Sequence, residues 1–130
     1  MKIHLFEGNE LPDDFQYPDD FLKFVSSYDE KTIKPWRILG ESKSELIFFR
    51  TSMNEIYPDK PLIPFARLED SANGDLACFD GSDISGNPRI FFHVYCYQGE
   101  LPNWDKRYSM DNFNCWLEEA REEANFYDDV

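Results

Sequence analysis

The chain has 130 residues, enough for one domain, and its 42% hydrophobic and 17% aromatic content supplies a core, which excludes global disorder. Thirteen basic against 26 acidic residues leave a net charge of −13, the wrong sign for binding a nucleic-acid backbone or an anionic membrane. Three cysteines, Cys78, Cys96 and Cys115, are odd in number and widely spaced, unlike a secreted disulfide scaffold, and each stands beside aromatic residues as buried thiols do.

Residues 1–16 read as a lead-in, with an apolar run from Ile3 to Phe6 and then an acidic segment ending in Asp13-Asp14-Phe15. The opening turns acidic too early for a signal peptide, and no apolar run approaches the roughly 20 residues of a membrane span. A cytoplasmic protein is expected. Pro18 suits a first helical position, Asp19 and Asp20 favour the helix dipole in the first turn, and Phe21, Leu22, Val25 and Tyr28 share a face. The spacing predicts a helix over 18–28. Trp36–Leu39 and Glu45–Arg50 are predicted as two strands turning through Gly40 to Ser44, and Pro58 and Pro61 exclude a long helix through 51–61.

The middle of the chain organises the rest. Leu62–Glu69 and Leu76–Asp80 flank a small, acidic cluster, Asp70–Asp75, in which Asn73 and Gly74 supply the positive φ of a tight turn. Phe65, Leu68, Leu76, Cys78 and Phe79 are candidates for burial. Ile90–Tyr97 is apolar or aromatic on both alternating faces, the pattern of a strand covered on both sides and central in its sheet. Between them, 80–88 is a polar loop, and 99–108 is an irregular connection. Ser109 or Asp111 is placed to cap a C-terminal helix, whose inner face is Phe113, Trp116, Leu117, Ala120 and Ala124. Its other face carries Glu118, Glu119, Glu122 and Glu123, with Asp128 and Asp129 beyond. With no internal repeat or low-complexity linker, residues 1–130 read as one α+β domain, a mostly antiparallel sheet flanked by an N-terminal and a C-terminal helix.

Site chemistry is sparse. His93 lies in an apolar strand, three residues from Cys96 and so on the opposite face, and no CxxC or HxxxH spacing offers a zinc ligand set. Cys78 and His93 would face one another in one strand register and not in another, and Asp80 beside Cys78 would raise a thiol pKa. Asp75 and Asp80 sit where acids cap turns and strand ends. Gly74, Gly81 and Gly86 match no phosphate-binding loop. A structural role for these residues outweighs a catalytic one, and no catalytic residue, metal or cofactor is expected. What remains is the acidic surface: residues 7–30 hold eight acids against Lys23, and 111–130 hold seven against Arg121. Such a surface keeps a protein soluble or complements a cationic partner. Asp13, Asp14, Asp19, Asp20, Glu118, Glu119, Glu122 and Glu123 are the candidate contacts.

The segment Ile63-Pro64-Phe65-Ala66, followed by Asn73-Gly74-Asp75-Leu76-Ala77-Cys78-Phe79-Asp80, resembles the central signature of the SUKH superfamily of bacterial toxin-immunity proteins. Tyr17-Pro18-Asp19-Asp20-Phe21-Leu22-Lys23-Phe24 resembles its opening helix, and Pro88-Arg89-Ile90 and Phe113-x-x-Trp116-Leu117 its later elements. The likeness spans about residues 17–124 in order, departing at Asn73, where a glycine is common, and over 26–60. It implies a non-enzymatic cytosolic protein that binds and neutralises a cognate toxin, a nuclease or other basic domain, by occluding its active site. The alternative it allows is an adaptor or regulatory interaction domain on the same fold.

Overall fold

The computed structural model describes residues 2–69, 74–94 and 103–128. Among these residues five antiparallel strands lie in sequence order: β1 (Trp36–Ile38), β2 (Leu62–Leu68), β3 (Leu76–Asp80), β4 (Ile90–His93) and β5 (Ser109–Met110). The predicted hairpin is present as β2 and β3, and Gly74 has the expected positive φ of 63°. Asn73 and the rest of 70–73 lie outside the described residues, as do Tyr95, Cys96 and Tyr97. β4 is an interior strand, but the middle of the sheet is β3, every residue of which is buried.

The pairing steps from Pro64↔Cys78 to Ala66↔Ala77, so Phe65 is an extra residue in β2. A bulge of this kind turns two successive side chains to one side. Here they are Phe65 and Ala66, both on the face of Phe79, and Phe65 stacks on Phe79 with ring centroids 4.2 Å apart. Phe21 packs edge-on to both, at 5.7 and 5.1 Å, and Phe113 and Trp116 approach Phe65 at 5.8 and 5.0 Å. Those last three residues come from α1 (Asp19–Ser26) and α3 (Phe113–Asp128), which together cover this face of the sheet.

Both predicted helices are present, with small corrections at their starts. Pro18 is the N-cap of α1, in extended conformation, and not its first helical residue. The cap of α3 is Asn112, whose Oδ1 accepts the Cys115 N–H at 3.0 Å. Ser109 and Asp111 do not serve, because both are held by Arg89, at 2.9 and 3.2 Å. Cys115 is exposed, not buried as expected, since it lies on the outer side of α3 while its neighbour Trp116 faces the core.

The larger correction concerns Glu45–Arg50, which is not a strand. It belongs to a helix, α2 (Lys43–Ile56), packed on the other face of the sheet. Ser42 starts it: its Oγ accepts the Glu45 N–H at 3.1 Å. Leu46 and Met53, two turns apart, are buried, whereas Ile47 and Phe48 point outward at 47% and 65% exposure. Glu45 then ties the helix to the sheet, accepting from both terminal nitrogens of Arg37 on β1 at 3.0 and 3.2 Å and from the Gly40 N–H at 3.1 Å. Burial opposes the charged form of Glu45, yet these donors hold its carboxyl below the usual range. The helix ends at Ile56, two residues before Pro58.

Two stability measurements follow. Trp116→Ala removes a side chain that is 1% exposed and touches three other core rings, and should cost about 3–5 kcal/mol in urea unfolding. Wild-type stability in that variant would show that α3 does not dock as described. Ser42→Ala should cost about 1 kcal/mol through the lost cap, while Ser44→Ala, exposed within α2, should be nearly neutral.

Candidate protein-docking site

The eight predicted contact residues are exposed but do not form one patch. Asp13 and Asp14 occupy the corner of a turn closed by the Phe15 N–H on the Pro12 carbonyl at 3.1 Å, with Asp14 at φ 63°. Asp19 and Asp20 lie in the first turn of α1. Asp20 is already engaged, accepting from the Asn114 amide at 2.7 Å and so tying α1 to α3. The four glutamates of α3 divide by helical phase: Glu118 and Glu122 point to solvent, while Glu119 and Glu123 share the flank of Trp116.

Among the described residues, two surface depressions flank α3. The larger, of about 320 Å³, lies between α1 and α3 and mixes Asp20 and Asp29 with Lys23 and Arg121. Those are the two cations of the acid-rich terminal spans, so this cleft is charge-balanced. The smaller, of about 190 Å³, lies on the other flank and is lined by Trp36, Phe92, Tyr108, Met110, Trp116 and Ala120, with Glu119 and Glu123 on its rim. Here apolar surface and acid converge, and no lysine or arginine is among the lining residues.

The strand register builds this second groove. Trp36 on β1 and Phe92 on β4 are separated by two strands, yet their ring centroids are 6.3 Å apart. The residues between them are Ala66, which pairs with Ile38, and Ala77, which pairs with Ala66 and Phe92. Two methyl groups leave a lane that two large rings fill from either side. Trp116 stands edge-on to Trp36 at 5.6 Å, and Tyr108 lies 5.6 Å from Phe92. Trp116 and Trp36 form the floor, while Tyr108, 68% exposed, forms a wall. Tyr108 loses its proton less readily than usual, first through partial desolvation and then through the negative field of Glu119 and Glu123. Of these residues only Glu119 and Glu123 were candidates from sequence. Trp36, Phe92 and Tyr108 carry no local signal, because what joins them is cross-strand pairing.

On the opposite face, the register answers the question of Cys78 and His93. Cys78 pairs with Phe91, and His93 with Leu76, so the two are diagonal neighbours on one face. Cys78 is fully buried, and burial pushes its thiol pKa up, away from nucleophilic use. His93 is 7% exposed, with Nδ1 2.7 Å from the Tyr57 hydroxyl. Tyr57 in turn lies under Arg107, which also covers Trp104 at 3.8 Å. Asp80 accepts from the Ser82 N–H at 2.9 Å and pairs with Lys60 at 3.1 Å, a strand-end cap of the kind expected. Cys96 lies outside the described residues, and among those described no group of three His, Cys, Asp or Glu could hold a metal ion.

Burial lowers the pKa of His93 below 6.5, with Arg107 adding to the effect and Asp75 opposing it. The unfolded chain therefore binds more protons, so stability is complete above pH 6.5 and falls as pH drops below it. Urea midpoints should decline from pH 6.5 towards about 5, where carboxylates take over. His93→Gln should flatten that decline, and an unchanged slope would show that His93 is not the group responsible.

No family model, no curated protein and no solved structure matches this chain.

Proposed function

We propose that this is a SUKH-like, non-enzymatic immunity protein of the bacterial cytoplasm, which binds a cognate toxin domain and occludes its cationic active-site cleft. The observation that carries the reading is the groove in which Glu119 and Glu123 rim four aromatic rings, on a chain with a net charge of −13. Aromatic residues anchor interfaces, and acids around them select a basic surface and speed its approach. The ordered motifs from Tyr17 to Leu117 and the antiparallel sheet covered on one face by α1 and α3 support the same reading. A nuclease is the favoured target class, because its substrate cleft is positive and an acidic protein can fill it in place of the nucleic acid. No covalent step or cofactor enters this mechanism.

The test is growth rescue and binding with the basic toxin domain encoded beside this chain in its native genome. Co-expression should abolish toxicity, and purified proteins should form a complex whose association slows as ionic strength rises towards physiological, where the Debye length is about 8 Å. Replacing Glu118, Glu119, Glu122 and Glu123 by Gln should slow association about 10-fold, with Asp13, Asp14, Asp19 and Asp20 to Asn acting less cleanly because Asp20 also holds Asn114. A complex that leaves the toxin active would favour the adaptor reading. Association insensitive to salt and to both sets of substitutions would remove electrostatic steering from the mechanism.

A further inference from the structure

We propose that the groove between α3 and the β1–β4 surface takes a single arginine side chain of the partner, and that this arginine anchors the complex. The inference rests on reading the protein as a binder of a basic partner, and it names what that partner must present.

Size sets the first limit. Pockets for small molecules commonly run about 300–1,000 Å³, and this one holds about 190 Å³, room for one side chain. Its chemistry sets the second. Tyr108 and half-buried Phe92, 5.6 Å apart, present ring surface above a floor of Trp36 and Trp116, and aromatic faces attract cations. Glu119 and Glu123 stand one turn apart on the α3 flank above those rings. A planar guanidinium stacks on aromatic surface and donates to carboxylates at its edge at the same time. A lysine ammonium is a compact, strongly hydrated charge that does neither as well.

The rest of the molecule supplies a comparison. Among the described residues, lysine or arginine of the chain itself already lies over Phe6, Phe24, Phe49, Tyr57, Phe91 and Trp104. None lies over Trp36, Phe92, Tyr108 or Trp116, and none lines their groove. Phe24, beside Asp20, and Trp104, bonded to Asp59, each combine ring, acid and a cation of the chain; the groove presents ring and acid, and the partner supplies the cation.

The probe is N-acetyl-arginine amide, titrated into the full chain and followed by two-dimensional NMR, with N-acetyl-citrulline amide as the neutral isostere. Arginine amide should shift the indole N–H signals of Trp36 and Trp116 saturably, and citrulline amide should not. Tyr108→Ala, or Glu119→Gln with Glu123→Gln, should weaken the arginine probe about 5-fold or more. Glu30→Gln with Glu55→Gln, the same charge change elsewhere on the exposed surface, should change it less than about 2-fold. Equal weakening by both charge pairs would reduce the effect to net charge and overturn the anchor. So would absence of shifts at the groove, or equal binding of citrulline amide, and equal binding of N-acetyl-lysine amide would overturn the choice of arginine. The two readings fail separately. Toxin neutralised at full strength by the Tyr108→Ala protein would overturn the anchor alone, whereas a groove that binds arginine beside a toxin left active would overturn the immunity reading alone.

Discussion

The stack of Phe65 on Phe79 is the contact on which the rest of this structure depends. It joins the two longest strands at the middle of the sheet, with both rings almost fully buried. Phe15, Tyr17, Phe21 and Phe113 all reach Phe79 within 6.4 Å, so the N-terminal segment, α1 and α3 converge on one ring. Alternation alone puts Phe65 on the face of Phe79, because Ile63, two residues earlier, pairs with Phe79. The irregularity after Pro64 acts on the next residue: it turns Ala66 to the same face, opposite Ala77, where the lane between Trp36 and Phe92 runs.

The two faces are held by different physics. The α1–α3 face is aromatic and non-directional, stabilised by burial and edge-to-face contacts. The opposite face is fixed by directional, partly ionic contacts around a smaller apolar set. Arg37 reaches Glu45 on α2 and Glu69 after β2, Lys60 reaches Asp80, and Tyr57 holds His93. Such half-buried pairs contribute modestly to stability, but they fix register and orientation. On the same face lie His93, the buried thiol of Cys78 and Asp80 at the strand end. Each is committed to a packing or capping task.

The groove is a consequence of the first arrangement. Docking α3 on the Phe65–Phe79 stack sets Trp116 against Trp36 and leaves Glu119 and Glu123 on the open flank. The other flank of the same helix meets α1, where Lys23 and Arg121 offset the local acids. A helix that looks uniformly acidic in sequence therefore presents two unlike flanks, one on a cleft lined by Lys23 and Arg121 and one on a groove lined by Glu119, Glu123 and aromatic rings.

The sequence by itself determined much of this protein. Two short apolar runs, Leu62–Glu69 and Leu76–Asp80, on either side of a turn cluster that holds Gly74, marked the hairpin, and the spacing of Phe113, Trp116, Leu117, Ala120 and Ala124 marked α3 with its buried face. Both are local patterns, and a local pattern survives without knowledge of the partner surface. The run Leu-Ile-Phe-Phe at 46–49 was misleading because contiguous apolar residues fit a buried strand as well as a helix. The Ser42 cap and the Leu46–Met53 spacing were the signals that separate them, and Glu45 meeting Arg37 needed the fold. The partner surface was legible only as a count of charges. Which acids stand beside aromatic rings was decided by tertiary structure alone, since Trp36, Phe92, Tyr108 and Trp116 are brought together by register, by the two alanines between them and by the docking angle of one helix.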